Sequence, residues 1–186
     1  REDALAVWAY APGLIGPDGL DPERVARLTG IEVVREDGEQ GSAGRGPLAG
    51  HSWGPGLVLS PRLVVDDTGA EIIAAYRSDR RPSAGLTRNG GHTSAFFGDM
   101  GVSHDALRVL FREAGVHIWA GAGTVVHTDG RILAAHAGAA GERVLRAPAG
   151  HTLEPMDTFS QEAAGREVRV PFEAGETLWF RVRNVR

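Results

Sequence analysis

The 186-residue chain contains no cysteine and no lysine. The absence of cysteine excludes thiol nucleophiles, disulfides and thiolate metal sites. The absence of lysine excludes Schiff-base chemistry, a P-loop lysine and a lysine general base. No apolar run reaches about eighteen residues, so no membrane-spanning helix is predicted. The net charge of −4 argues against nucleic acid and anionic membranes as partners.

The remaining composition is that of a globular protein, with 42% apolar and 24% charged residues. Such a chain forms one large domain or two small ones. Its first three residues resemble neither an initiator methionine segment nor a signal peptide. We therefore expect a piece of a longer protein, and both a cytoplasmic and a secreted location stay open.

Residues 86–116 predict a strand followed by a helix that ends at a glycine. A short apolar strand, residues 93–97, precedes Ser103, which is a good helix N-cap, and Gly115 marks the helix end. A second helix, residues 22–29, is predicted from a similar cap, proline and glycine pattern. Amphipathic helices beside apolar strands indicate an α/β layer over residues 1–116.

Two further segments complete the predicted organisation. Residues 36–56 are rich in glycine and poor in apolar side chains, which predicts a flexible loop. Residues 117–186 lack helical periodicity and show short strand-like runs, separated by turn residues at about ten-residue spacing. This spacing predicts an antiparallel β-sandwich domain.

Residues 50–54 match the G-x-S-x-G nucleophile elbow, with Ser52 at its centre. An elbow requires a buried strand before the serine and a helix after it, and the glycines and prolines on both sides favour neither. A serine esterase using Ser52, with His92 or His136 as its base, is the alternative enzyme hypothesis.

Seven histidines raise the question of a metal site, because His117, His127 and His136 recur every nine or ten residues. No HxH pair or HExxH helix accompanies them. Their spacing follows the predicted strand repeat, so we expect no metal site, and no motif predicts a cofactor.

Carboxylates could serve glycosidic bond hydrolysis, which uses a pair of them. Asp99, Asp105 and Glu113 lie around the helix that is predicted between Ser103 and Gly115. The helix dipole accounts for Asp105, and nothing marks two of the three as a pair.

Tryptophans could stack on sugar rings, and Trp53 and Trp119 are the candidates for a carbohydrate-binding module. Trp8, Trp119 and Trp179 fall within strand patterns, however, where packing in the core is favoured. The sequence leaves the choice between sugar binding and packing open.

Several segments resemble the C-terminal region of bacterial glycoside hydrolases, in particular family 42 β-galactosidases. They are residues 10–13 (YAPG), 19–31, 91–98 (GHTSAFFG) and 110–118, followed by 132–145 and 171–182. The resemblance implies a flavodoxin-like, glutamine-amidotransferase-like trimerisation domain followed by a small antiparallel β domain. The family's α/β domain normally opens with a further strand and helix, so the resemblance implies a domain truncated at its N-terminus.

The resemblance also implies where catalysis occurs. The family's two catalytic glutamates belong to an upstream TIM barrel, and no residue of this chain matches them. Glutaminase activity is not implied, because the chain has no cysteine. The expectation is a non-catalytic accessory or assembly region, with the TIM barrel of a parent enzyme and further copies of the chain as partners.

Overall fold

A computed structural model describes residues 4–89, 91–156 and 164–185. The chain divides into two compact units, Arg1–Gly115 and Val116–Arg186. Strands predominate in both units. Within the described ranges, no helix is long and apolar enough to cross a membrane.

In its described residues, the first unit combines two helices with ten strands. In chain order its elements are β1 (Ala4–Ala9), β2 (Ile15–Gly16), β3 (Gly19–Leu20), α1 (Pro22–Thr29), β4 (Val33–Glu39), β5 (Ser42–Gly44), β6 (Ser52–Trp53), β7 (Val58–Val65), β8 (Glu71–Tyr76), β9 (Pro82–Asn89), β10 (His92–Phe97) and α2 (His104–Glu113). A short 3-10 turn, Gly46–Leu48, lies between β5 and β6.

Both predicted helices are confirmed, and their ends follow the capping residues. The Asp21 carboxylate accepts a hydrogen bond from the Glu23 amide at 3.0 Å, and α1 stops at Gly30, whose φ of 73° is left-handed. The Ser103 hydroxyl accepts from the Ala106 amide at 3.2 Å at the start of α2. Local capping chemistry is therefore sufficient to set these boundaries.

The main sheet of the first unit has the strand order β1-β10-β9-β8-β5-β6. Only β1 and β10 run parallel, and the other neighbours are antiparallel. This corrects the flavodoxin-like expectation, in which the strands run parallel. Short connections between β8, β9 and β10 impose the difference, because parallel neighbours require a long crossover.

Helices and strands cover both faces of this sheet. Successive side chains of a strand point to opposite faces, so Phe97 packs in one cluster with Leu110 of α2. The adjacent Phe96 packs in a second cluster with Val25 of α1 and Leu63 of the β4–β7 ribbon. The predicted layering of helices against an apolar sheet is therefore present.

The prediction of a flexible loop over residues 36–56 is wrong. This segment contains β5, β6 and part of β4, and it buries Ser42, Leu48 and Trp53. Its glycines permit close packing of the backbone; they do not make the segment a flexible loop. A Cβ at Gly44, for example, would lie 1.9 Å from the Leu48 carbonyl oxygen.

The second unit contains strands only in its described part. They are β11 (Thr124–Thr128), β12 (Ile132–Ala137), β13 (Gly141–Arg146), β14 (His151–Pro155), β15 (Glu167–Phe172) and β16 (Glu176–Asn184). One sheet has the order β11-β12-β16-β14, and β13 pairs with β15, all antiparallel. Leu133 and Phe180 of the four-stranded sheet share an apolar core with Val168 and Val170 of the β13–β15 pair, as in a β-sandwich.

Candidate functional site

The structure does not bring Ser52 and His92 together. Ser52 lies exposed on β6 at one edge of the main sheet, and His92 begins β10, with three strands between them. Four inter-strand spacings place the backbones of β6 and β10 roughly 19 Å apart. A catalytic base must lie within about 3 Å of the hydroxyl that it deprotonates, so this serine and histidine form no catalytic pair.

His136, the other proposed base, belongs to the second unit. Its Nδ1 lies 2.9 Å from the Thr177 hydroxyl on the neighbouring strand. The side chain is partly exposed on the outer face of the four-stranded sheet. His136 is therefore held in place by a strand neighbour.

The three regularly spaced histidines have separate surroundings. The Nε2 of His117 lies 2.7 Å from the Arg146 carbonyl oxygen, whereas His127 is exposed on β11. No group of three or more His, Asp or Glu side chains in the described residues is arranged to hold a metal ion.

Asp99 is the centre of a buried polar cluster in the first unit. Its carboxylate is fully buried and accepts hydrogen bonds from the Ser42 hydroxyl at 2.6 Å and the Trp53 indole at 2.9 Å. The Ser42 hydroxyl also lies 2.7 Å from that of Ser83. The carboxylate therefore connects the loop after β10 directly to β5 and β6, and through the Ser42 hydroxyl to Ser83 of β9.

Burial raises the pKa of the Asp99 carboxyl above its usual range. Hydrogen bonds from Ser42, Trp53 and the Gly41 amide act in the opposite direction and offset only part of that effect. A raised carboxyl pKa is common at catalytic sites. Here the carboxylate has no access to solvent and its oxygens are occupied, so the cluster is structural.

A second buried polar group lies beside the same strands. Arg62 is buried, pairs with Asp79 at 2.6 Å and Glu36 at 3.2 Å, and places its guanidinium 4.5 Å from the centre of the Tyr76 ring. The Tyr76 hydroxyl lies 2.9 Å from the Gly98 carbonyl oxygen. Because a Cβ at Gly98 would lie 2.1 Å from the Leu63 carbonyl oxygen, glycine is needed at this position.

The remaining carboxylates near α2 are exposed. Asp105 pairs with Arg108 on the same helix at 3.2 Å. Glu113 is exposed at the helix end. Since Asp99 is enclosed and these two face solvent, the three do not form a shared site.

The two tryptophans proposed to bind sugar are not the exposed ones. Trp53 is only 5% exposed and packs edge-on against Phe97. Trp119 is partly buried against the core of the second unit and contacts the His117 ring. Trp179, which the sequence assigned to the core, is 47% exposed.

Trp179 borders an open depression on the outer face of the four-stranded sheet. The depression has a volume of about 730 Å³. Its lining includes Asp129, Ala134, His136, Thr177, Trp179 and His127. On this surface an aromatic side chain and several hydrogen-bonding groups are accessible together.

Comparison with solved structures finds β-galactosidases. The enzyme from Bacillus circulans sp. alkalophilus superimposes with a TM-score of 0.61 and 18% identity, over 95% of this chain and 29% of that chain. Gan42B, a GH42 β-galactosidase from G. stearothermophilus, superimposes with a TM-score of 0.58 and 13% identity, over 97% of this chain and 28% of its own. The β-galactosidase of the haloarchaeon Halorubrum lacusprofundi superimposes with a TM-score of 0.53 and 15% identity, over 89% of this chain and 26% of its own.

No protein-family model and no curated protein sequence matches the chain. The similarity to solved structures therefore concerns the fold. The chain spans somewhat more than a quarter of the length of these β-galactosidases. The fold of the chain is thus similar to that of part of these larger enzymes.

Proposed function

We propose that this chain is a non-catalytic accessory and assembly region of a β-galactosidase-like glycoside hydrolase. The main support is the extent of the structural similarity. It covers 89% to 97% of the chain but only 26% to 29% of the compared enzymes, so the chain corresponds to a part of such an enzyme.

The placement of the reactive side chains also supports a non-catalytic role. Glycosidic hydrolysis needs two carboxyl groups on either side of the scissile bond. Asp99 is enclosed by Ser42 and Trp53, and Ser52 lies far from His92. In this proposal the catalytic glutamates belong to a separate TIM-barrel domain.

The first unit is proposed to be a reduced relative of the amidotransferase-like trimerisation domain. Its helices α1 and α2 lie against opposite faces of one sheet, as in layered α/β domains. The second unit is proposed to be the accompanying β domain. Self-association of the chain follows from this assignment.

Two measurements test the proposal. The purified chain should hydrolyse aryl β-galactosides no faster than buffer, and it should sediment as a homo-oligomer. Turnover well above buffer that survives repurification would contradict the non-catalytic role. A strictly monomeric species over the whole concentration range would contradict the assembly role.

A fluorophosphonate probe tests the esterase alternative separately. We expect no labelling, because Ser52 has no imidazole from its own sheet within reach. Labelling of the wild type that disappears in Ser52→Ala would establish an activated serine and overturn this part of the proposal.

A further inference from the structure

We propose that the outer face of the four-stranded sheet binds a neutral saccharide, with Trp179 as the platform on which a sugar ring stacks. This inference goes beyond the accessory role and does not depend on it. It rests on the arrangement of side chains around the depression that Trp179 borders.

Trp179 is the only aromatic residue among the large apolar side chains exposed in the described part of the chain. Its cross-strand neighbour is Ala134, whose side chain ends at Cβ, so no long side chain stands beside the indole on that strand. A pyranose ring presents C–H groups on its face and hydroxyls at its rim. An indole can cover the face while the rim stays hydrogen-bonded.

Ala134 is also the floor of the depression. On its other side it pairs with His127 of β11, so His127 and Trp179 flank it from the two neighbouring strands. The backbones of these strands are two spacings apart, roughly 10 Å. This backbone separation is of the order of the width of a six-membered sugar ring with a side chain on each side.

His136 and Thr177 close one end of the depression as a hydrogen-bonded pair. Imidazole nitrogens and hydroxyls both donate and accept, which matches the hydroxyl groups of a sugar. Within the described residues, Nε2 of His136 and both ring nitrogens of His127 have no hydrogen-bond partner. Polar groups that can contact a ligand therefore converge on the space beside the indole.

The charges favour an uncharged ligand. Asp129 is the carboxylate at the edge of the depression, and its Oδ1 already accepts the amides of Arg131 and Ile132 at 2.8 Å each. No arginine in the described residues lines the depression. With no guanidinium in this lining, an anionic ligand is not favoured, and the one lining carboxylate is held in its turn by these two amides.

Titration of the full chain with unlabelled β-linked oligosaccharides of galactose and of glucose tests the proposal, using calorimetry and tryptophan fluorescence. We expect saturable binding to at least one of them, weakened at least about tenfold by Trp179→Ala and less by Trp179→Phe. His127→Ala should also weaken it, with the fold checked by circular dichroism.

Met156→Ala is the matched control. Met156 is 45% exposed, close to the value for Trp179, and its amide donates to the Trp179 carbonyl oxygen, but it does not line the depression. Because Met156 stands beside Trp179 at the end of the neighbouring strand, binding should fall much less in this variant than in Trp179→Ala. No binding by the wild type, or equal losses in the Met156 and Trp179 variants, would overturn the proposal while leaving the turnover and sedimentation results intact.

Discussion

The two units differ in how many polar side chains they bury. In the described residues, the first unit buries seven polar or charged side chains and the second buries one, Thr124. The seven are Thr29, Gln40, Ser42, Arg62, Ser83, Ser94 and Asp99. The seven buried groups hydrogen-bond to other residues of the first unit, whereas the described core of the second unit is apolar apart from Thr124. Buried groups of this kind are closed to a ligand.

The largest expected effect lies in the apolar core of the second unit. Phe180→Ala should lower the free energy of unfolding by about 4 kcal/mol, because it removes a fully packed aromatic ring and leaves a cavity. Urea denaturation followed by circular dichroism measures the loss. A change below about 1 kcal/mol would contradict the apolar-core description of this unit.

In the first unit, Asp99→Ala should cost about 3 kcal/mol. The substitution leaves the Ser42 hydroxyl and the Trp53 indole without their buried acceptor. Urea denaturation followed by tryptophan emission measures the effect. Asp105→Ala, which removes an exposed carboxylate of the same unit, is the control and should change stability by no more than about 0.5 kcal/mol.

The pH dependence of stability isolates the burial of Asp99. Its carboxyl pKa is raised in the folded state, so between the unfolded and the folded pKa the folded chain binds more protons. Stability from this group is therefore present below the unfolded pKa and is lost as the pH rises through the folded pKa. Denaturation midpoints of the wild type and Asp99→Asn should diverge across this range; parallel curves would argue against a raised pKa.

The smallest effect is expected at Trp179. Trp179→Ala should change the free energy of unfolding by only about 0.5 kcal/mol, because this indole lies on the outer face of β16. Phe180 is the next residue along the same strand and faces the core. The two alanine variants thus compare opposite faces of one strand by the same denaturation measurement.

Much of the fold could be predicted from local signals. Helix caps indicate α1 and α2, and short strand-like runs between turn residues indicate most strands of the second unit. The order of the main sheet could not be obtained in this way, because it depends on contacts between distant segments. The loop prediction for residues 36–56 fails because glycine indicates turns in general, while here it permits contacts such as that of Gly44 with Leu48.

The exposed position of Trp179 in the second unit can be predicted from the sequence of β16. Along β16, Leu178, Phe180 and Val182 contact the core, so Thr177, Trp179 and Arg181 share the outer face. The arginine marks that face as exposed and therefore places Trp179 on it. The burial of Trp53, by contrast, requires Asp99 from a distant segment, and no local pattern reveals that pairing.

The indole N–H groups of the four tryptophans divide between the two units. Those of Trp8 and Trp53 donate to Ser94 and Asp99, whereas those of Trp119 and Trp179 have no acceptor within the described ranges. Protons held in such bonds exchange with solvent only when the surrounding structure opens. In heavy water, the four indole resonances of a single magnetic-resonance sample would thus disappear in two groups, and the slower group would report the opening of the first unit alone.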